Sequence, residues 1–338
     1  DLSFFRSITG AYTLDLQSDT AIVFRDTVST GALTANADGS IVMLDNASIN
    51  AGAGNISLIA GLAVALMDIT TTGDVVITAM TGHIIDDNGS AVNITANSAA
   101  LRAFEDIGFD GPDLETQVNL LAASSTTGDI RIINTGDLEI GSYDGLLGLS
   151  ATNGVVSVES SGAISVTEDV TANSIVFDAA IVNLDADLNS STITGNATNV
   201  NVTGSAGGAE IQDAVDLSAA AGTVQIAAGT YTPSSTITVS NALTIQGAQA
   251  GVDPRPGTGS LRDETDDTTE TIIDGSGSLS RIFLIDADDV TLDGLVITNG
   301  TGDLVRSSNP VDNITVQYNI IHNSTGDEGV QLALASCT

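Results

Sequence analysis

The sequence predicts an all-β chain folded as a parallel β-helix (β-solenoid), and three observations carry that expectation. Helical periodicity is almost absent from the 338 residues: short runs of Val, Ile, Leu and Thr alternate with polar residues and are cut every few positions by Gly, Asn or Asp. Such punctuation marks short strands and turns. A glycine-led phrase recurs in the N-terminal part, as GNISLIA from Gly54, GDVVITA from Gly73, GHIID from Gly82, GDIRII from Gly128, GDLEI from Gly136, GVVSV from Gly154 and GAISV from Gly162. A sharper repeat follows, where DVTLDGLVITNG from Asp289 aligns with NITVQYNIIHNS from Asn313 at an offset of 24 residues.

The spacing of the glycine phrase suggests a coil of roughly 20 residues. In the second repeat Val290 falls over Ile314, Leu292 over Val316, Ile297 over Ile321 and Asn299 over Asn323. A unit this short cannot close a core alone and must stack on copies of itself. Coils of about 20 to 25 residues stacked about 4.8 Å apart would give about 14 to 17 turns and a rod on the order of 70 to 80 Å. Small apolar side chains should fill the narrow bore and bulky aromatics should not fit it; the chain has 3% aromatic residues and no Trp. Asn299 and Asn323 are expected to form a ladder of amide hydrogen bonds at a turn. A β-sandwich of Thr-rich strands is the alternative, disfavoured because it requires no fixed offset.

One segment has helical spacing. AEIQDAVDLSAAAG, residues 209–222, puts Ile211, Ala214, Val215 and Ser218 on one face, and predicts a short capping helix near 209–220. The Gly-rich stretch 204–208 precedes it. The domain reading is therefore 1–203 as solenoid repeats, 204–208 as a junction and 209–338 as further coils.

Charge narrows the function. Forty-three acidic residues stand against eight basic ones, all Arg, for a net charge of −35. Such a chain repels nucleic acid, because it lacks the cations that displace phosphate counterions. A hydrophobic fraction of 42% and a mean hydropathy of +0.25 argue against disorder, and no apolar run reaches the roughly 18 residues of a membrane helix. The lone Cys337 supplies neither a disulfide framework nor a thiolate metal site. The absence of Lys rules out Lys–Asn isopeptide cross-links. With no signal peptide at Asp1 and no closing element at Thr338, the chain reads as a mature product or a piece of something longer.

IQDAVDLSAAAGTVQIAAGTY, LTIQG at Leu243, TIIDG at Thr271 and DVTLDGLVITNG at Asp289 resemble the opening coils of pectin-lyase-like right-handed parallel β-helices, over about 206–325. The segment of about 30–180 looks like the repeats of filamentous-haemagglutinin-like exoproteins. Together they resemble a stretch of a large secreted adhesin or surface protein. The resemblance implies a right-handed coil, a capping helix and an Asn ladder. It transfers no catalytic residue, since fold does not fix function.

Each candidate site residue also has a simpler role open to it. Asp274, Arg281, Asp288, Asp289, Asp293 and His322 would line one face of an enzyme, but Asp274 and Asp293 each precede Gly and read better as turn residues. Calcium is the stronger expectation, because 34 of the acids are Asp, clustered with Asn and Gly, and hard oxygen ligands on turns suit Ca²⁺. The candidate ligands are Asp86, Asp87, Asp286, Asp288 and Asp289; the Asp263–Asp267 cluster is similar, and a merely hydrated acidic surface is the alternative. His83 and His322 read as ordinary turn or strand residues. Ten Asn-x-Ser/Thr tripeptides, Asn93 and Asn299 among them, mark glycosylation acceptors only in a secreted chain.

The functional expectation is a non-enzymatic, extracellular structural or adhesive solenoid of a fibre, sheath, surface layer or adhesin. It would self-associate, possess structural Ca²⁺ and contact surface glycans, with no nucleic acid and no membrane insertion. The alternative is a polysaccharide lyase or hydrolase.

Overall fold

A computed structural model of the chain describes residues 2–333 apart from 5, 45, 109–112, 205–209, 256–261 and 327. Cys337 and most of the Gly-rich stretch lie outside the described residues. Among the described residues the fold is an all-β parallel solenoid of about 14 turns with a single short helix. It divides into two compact units, one of residues 1–179 with 188–193 and one of 180–187 with 194–338.

In the first unit the same inward position recurs turn after turn. Leu2 pairs with Ile22, Ile22 with Ile41, Ile41 with Val64 and Val64 with Ile84. Bridges carry the column on through Ile107 to Ile130, then to Val156 and Ile175. From Ile22 onward every member is fully buried. Each β-branched side chain thus packs on its copies above and below, and full burial of one such side chain is worth about 1.5–3 kcal/mol. That sum across turns is what a single repeat lacks.

A second inward row runs beside it: Phe4 pairs with Phe24, Phe24 with Met43, and Leu66 with Asp86. The Phe4 and Phe24 rings stack with centroids 5.6 Å apart. Phe24, Phe177 and Phe283 are all fully buried, which corrects the expectation that the bore excludes aromatics. Rings therefore take inward positions alongside the aliphatic side chains.

The glycine phrase has a steric cause. Turn corners sit directly on one another, so a Cβ on Gly54 would collide with the Gly31 carbonyl, and one on Gly154 with the Gly128 carbonyl.

The second unit has three strands per turn. Leu243–Gln246, Thr271–Asp274 and Phe283–Ile285 are followed by Thr291–Asp293, Leu295–Thr298 and Val305–Ser307. Leu292 pairs with Val316 and Ile297 with Ile321, so the 24-residue repeat is the register of adjacent turns. The helix α1, Ile211–Leu217, falls within the expected span, with Ile211, Ala214 and Val215 buried as its spacing required. Its terminus is closed by Ser218, whose hydroxyl donates to the Ala214 carbonyl at 2.7 Å.

Candidate functional site

Most of the carboxylates singled out in the sequence are engaged in joining one turn to the next. Asp286 accepts from the Asn309 amide at 2.6 Å and the Ser308 hydroxyl at 2.9 Å. Asp288 accepts from the Asp312 amide N–H at 2.7 Å, and Asp289 from the Asn313 side chain at 2.9 Å. Asp293 holds the Gly251 N–H on one oxygen and the Gln317 amide on the other. Asp274 accepts from the Ser276 N–H and from the Asn299 amide. A carboxylate one turn below an amide or hydroxyl is thus a charge-assisted staple, stronger than a neutral pair. His322 stands apart from these bonds, with its Nε2 buried and unpartnered.

Asn299 and Asn323 do lie one above the other at left-handed corners, with φ of 59° and 55°. Their amides take different partners: Asn299 donates to Asp274, and Asn323 donates to the Thr298 hydroxyl at 3.3 Å. Amide-to-amide rungs occur elsewhere, from Asn119 to Asn97 at 3.3 Å and from Asn201 to Asn183 at 2.8 Å. Asn97 in turn donates to Asp74. The sequence signal for these rungs was a recurring Asn one coil apart, 22 and 18 residues, which the glycine phrases overshadow.

Asp86 and Asp87 separate in the structure. Asp87 is exposed, whereas Asp86 is 6% exposed and occupies the inward row otherwise filled by Phe24, Met43 and Leu66. Around it the interior turns polar. Asn93 is fully buried; its amide donates to Asp86 Oδ1 at 2.7 Å, and its carbonyl oxygen accepts from the Glu115 N–H at 3.0 Å. Asn88 donates its backbone N–H to the same Asp86 oxygen at 2.9 Å and its side-chain amide to the Met67 carbonyl at 2.8 Å. Glu115, 8% exposed, lies beside Asn93 on the following turn. Burial, then the nearby charge of Asp86, pushes the Glu115 carboxyl above the ordinary carboxylate range. Sequence reasoning grouped Asn88 with Asp86 and Asp87 but missed Asn93 and Glu115; Glu115 reaches the group only through the coil.

Two further polar contacts frame the same unit. His83 stands between Glu105 and Asp106, at 2.6 Å from Glu105 Oε2 and 3.0 Å from Asp106 Oδ2. It is therefore a link between turns rather than a plain turn residue. Among the described residues no three His, Cys, Asp or Glu side chains are grouped so as to hold a metal ion, so any cation here must draw on amide or carbonyl oxygens as well. Among the described residues no helix is long and apolar enough to cross a membrane.

Comparison of the chain with family models, with curated proteins and with solved structures gives no match.

Proposed function

We propose that the chain is a non-enzymatic structural or adhesive β-solenoid of an extracellular fibre, sheath, surface layer or large adhesin, supported by structural Ca²⁺. The observation that carries the reading is the employment of the carboxylates. Asp274, Asp288, Asp289 and Asp293, the acids an enzymatic face would need, are each bonded across or within turns. A general acid or base needs an oxygen free to meet substrate, and on Asp293 both oxygens are taken. The resemblance to pectin-lyase-like coils and haemagglutinin-like repeats supports a secreted scaffold in the same sense. Net charge of −35 keeps such a surface hydrated and turns it away from nucleic acid.

Self-association is part of the proposal. Thr315–Gln317, Ile320–Ile321 and Val330–Gln331 each have a strand neighbour on one side only among the described residues, and such an edge is covered either by further chain or by another copy. Sedimentation and light scattering, with and without millimolar CaCl₂, test it: concentration-dependent growth is expected, and a chain that stays monomeric under both conditions sinks it. Turnover of a polyuronate panel that disappears in Asp293→Ala would instead establish the lyase or hydrolase alternative.

A further inference from the structure

The oxygen atoms around Asp86 are oriented by bonds that leave three of them without a donor. Asp86 Oδ1 accepts from Asn93 and from the Asn88 N–H, while Oδ2 is buried and unpartnered. The Asn88 side-chain amide is fixed by donation to the carbonyls of Met67 and Val92; a flipped amide would face oxygen with oxygen. Its Oδ1 is therefore held in place, buried and unpartnered. Glu115 Oε2 is the third such atom. Asn93 ties the three together: its two ends bond Asp86 and the Glu115 N–H, and it shares the Met67 carbonyl with Asn88.

Unpartnered oxygens are not the habit of this interior. Asn134, 1% exposed and on the turn after Glu115, accepts from the Thr116 hydroxyl and the Val118 N–H and donates to the Gly136 carbonyl. Against that background, two carboxylates and one amide oxygen, all acceptors, call for something positively charged. A water would give two hydrogens and leave both charges uncompensated in a medium where that is costly.

We infer that Asp86, Asn88 and Glu115 form a binding site for one Ca²⁺ at the corner that follows Ile84–Asp86 in the first unit. An all-oxygen set with no thiolate or imidazole disfavours zinc and copper. Calcium accepts irregular sets of oxygens, carbonyls included. The ion would clamp adjacent turns at the point where the apolar row of Phe24, Met43 and Leu66 gives way to Asp86. The site deepens the reading of the chain as a cation-supported scaffold, yet it is measured on the single chain. A monomer that binds the ion through Glu115 would sink self-association and leave the site standing.

The test is calorimetric titration of the EDTA-treated chain with CaCl₂, alongside thermal melts. Expected are saturable Ca²⁺ binding and a rise in Tm of roughly several degrees, with one bound ion per chain lost in Glu115→Gln and retained in Asp87→Asn. Glu115→Gln keeps the shape and removes one charge, so it should fold where Asp86→Ala would not; its circular dichroism confirms that. Binding of equal stoichiometry in Glu115→Gln would place the ion on the acidic surface and overturn the site. So would a chain indifferent to Ca²⁺ in which Glu115→Gln melts at or above the wild type, since a proton would then be the occupant.

Discussion

The guanidinium of Arg262 and the carboxylate of Glu270 form a bidentate pair, with Nε 2.9 Å from Oε1 and Nη2 2.5 Å from Oε2, and both side chains are 1% exposed. The same guanidinium donates to the carbonyls of Gly294 and Tyr318, on the next two turns. Between Leu243–Gln246 and Thr271–Asp274 lies an excursion whose described residues, 247–255 and 262–270, form no strand. Asp293 holds one side of that excursion through the Gly251 N–H; Arg262 and Glu270 hold the other. Planar, multiply bonded and dry, this pair is a use of Arg that Lys would serve poorly.

Breaking that pair from one side should be severe. Glu270→Ala leaves a buried guanidinium without its counter-charge, and a loss of about 3–5 kcal/mol is expected. The double variant Arg262→Met with Glu270→Leu removes both charges and should cost clearly less, because no lone ion is left behind. Urea denaturation of the three chains gives the comparison. Equal losses in the single and double variants would mean that packing, and not charge, holds the excursion.

Gln212 on α1 acts as a substitute strand. It accepts from the Thr238 N–H at 2.7 Å and donates to the Thr238 carbonyl at 3.3 Å. Ile237–Val239 pairs with Phe283–Ile285 on its other side, so one side chain closes an edge that would invite pairing with another copy. Gln212→Ala should cost about 1–3 kcal/mol and speed hydrogen exchange at the Thr238 amide. Unchanged protection there would show that the edge is covered by something else.

Much of this fold was legible because its order is linear. The alternation of Val, Ile and Leu with polar residues sets which side chains enter the bore, and the 24-residue offset of Leu292 and Val316 is the register itself. The helix was legible from Ile211, Ala214 and Val215. What the sequence conceals is which acid turns inward. Asp86 follows Ile84 and Ile85 in a strand and resembles a turn residue beside Asp87 and Asn88, yet the pleat sends it into the core. Asp286, Asp288 and Asp289 look alike to it in composition, but amides one turn later occupy them. That distinction depends on neighbours about 20 residues away, which no local pattern contains. The partners of Asn299 and Asn323 escaped for the same reason.

The pH response of α1 follows from Glu210 and Asp216. Burial, the largest cause for both, raises each carboxyl above its ordinary range; the charge of Asp187 adds to it at Glu210. A carboxyl whose pKa is higher in the folded chain binds more protons there than in the unfolded chain. Its stabilising contribution is therefore complete below the unfolded pKa and is lost as pH rises through the folded one. Protonation of Glu210 and Asp216 on acidification from neutral pH should therefore add stability to the second unit, and Glu210→Gln with Asp216→Asn should remove that part of the pH dependence of its melting. A double variant with the full wild-type slope would place the titration on other acids.

Glycine corners make the last prediction, because two glycines two residues apart are required for opposite reasons. Gly54 has no room: a Cβ would meet the Gly31 carbonyl and the Ala32 backbone on the turn below, neither of which can move without opening the ladder. Gly52 has ample room but a φ of 59°, the left-handed region that favours Gly and tolerates Asn. Gly54→Ala should therefore destabilise by about 1–3 kcal/mol or more, as overpacking against fixed backbone does, whereas Gly52→Asn should cost about 1 kcal/mol or less. Thermal melts of the two variants separate the causes. If Gly52→Asn proves the worse, backbone conformation rather than stacking distance limits this corner; if Gly54→Ala does, adjacent turns must lie too close for any side chain, as the recurring glycine of the sequence implies.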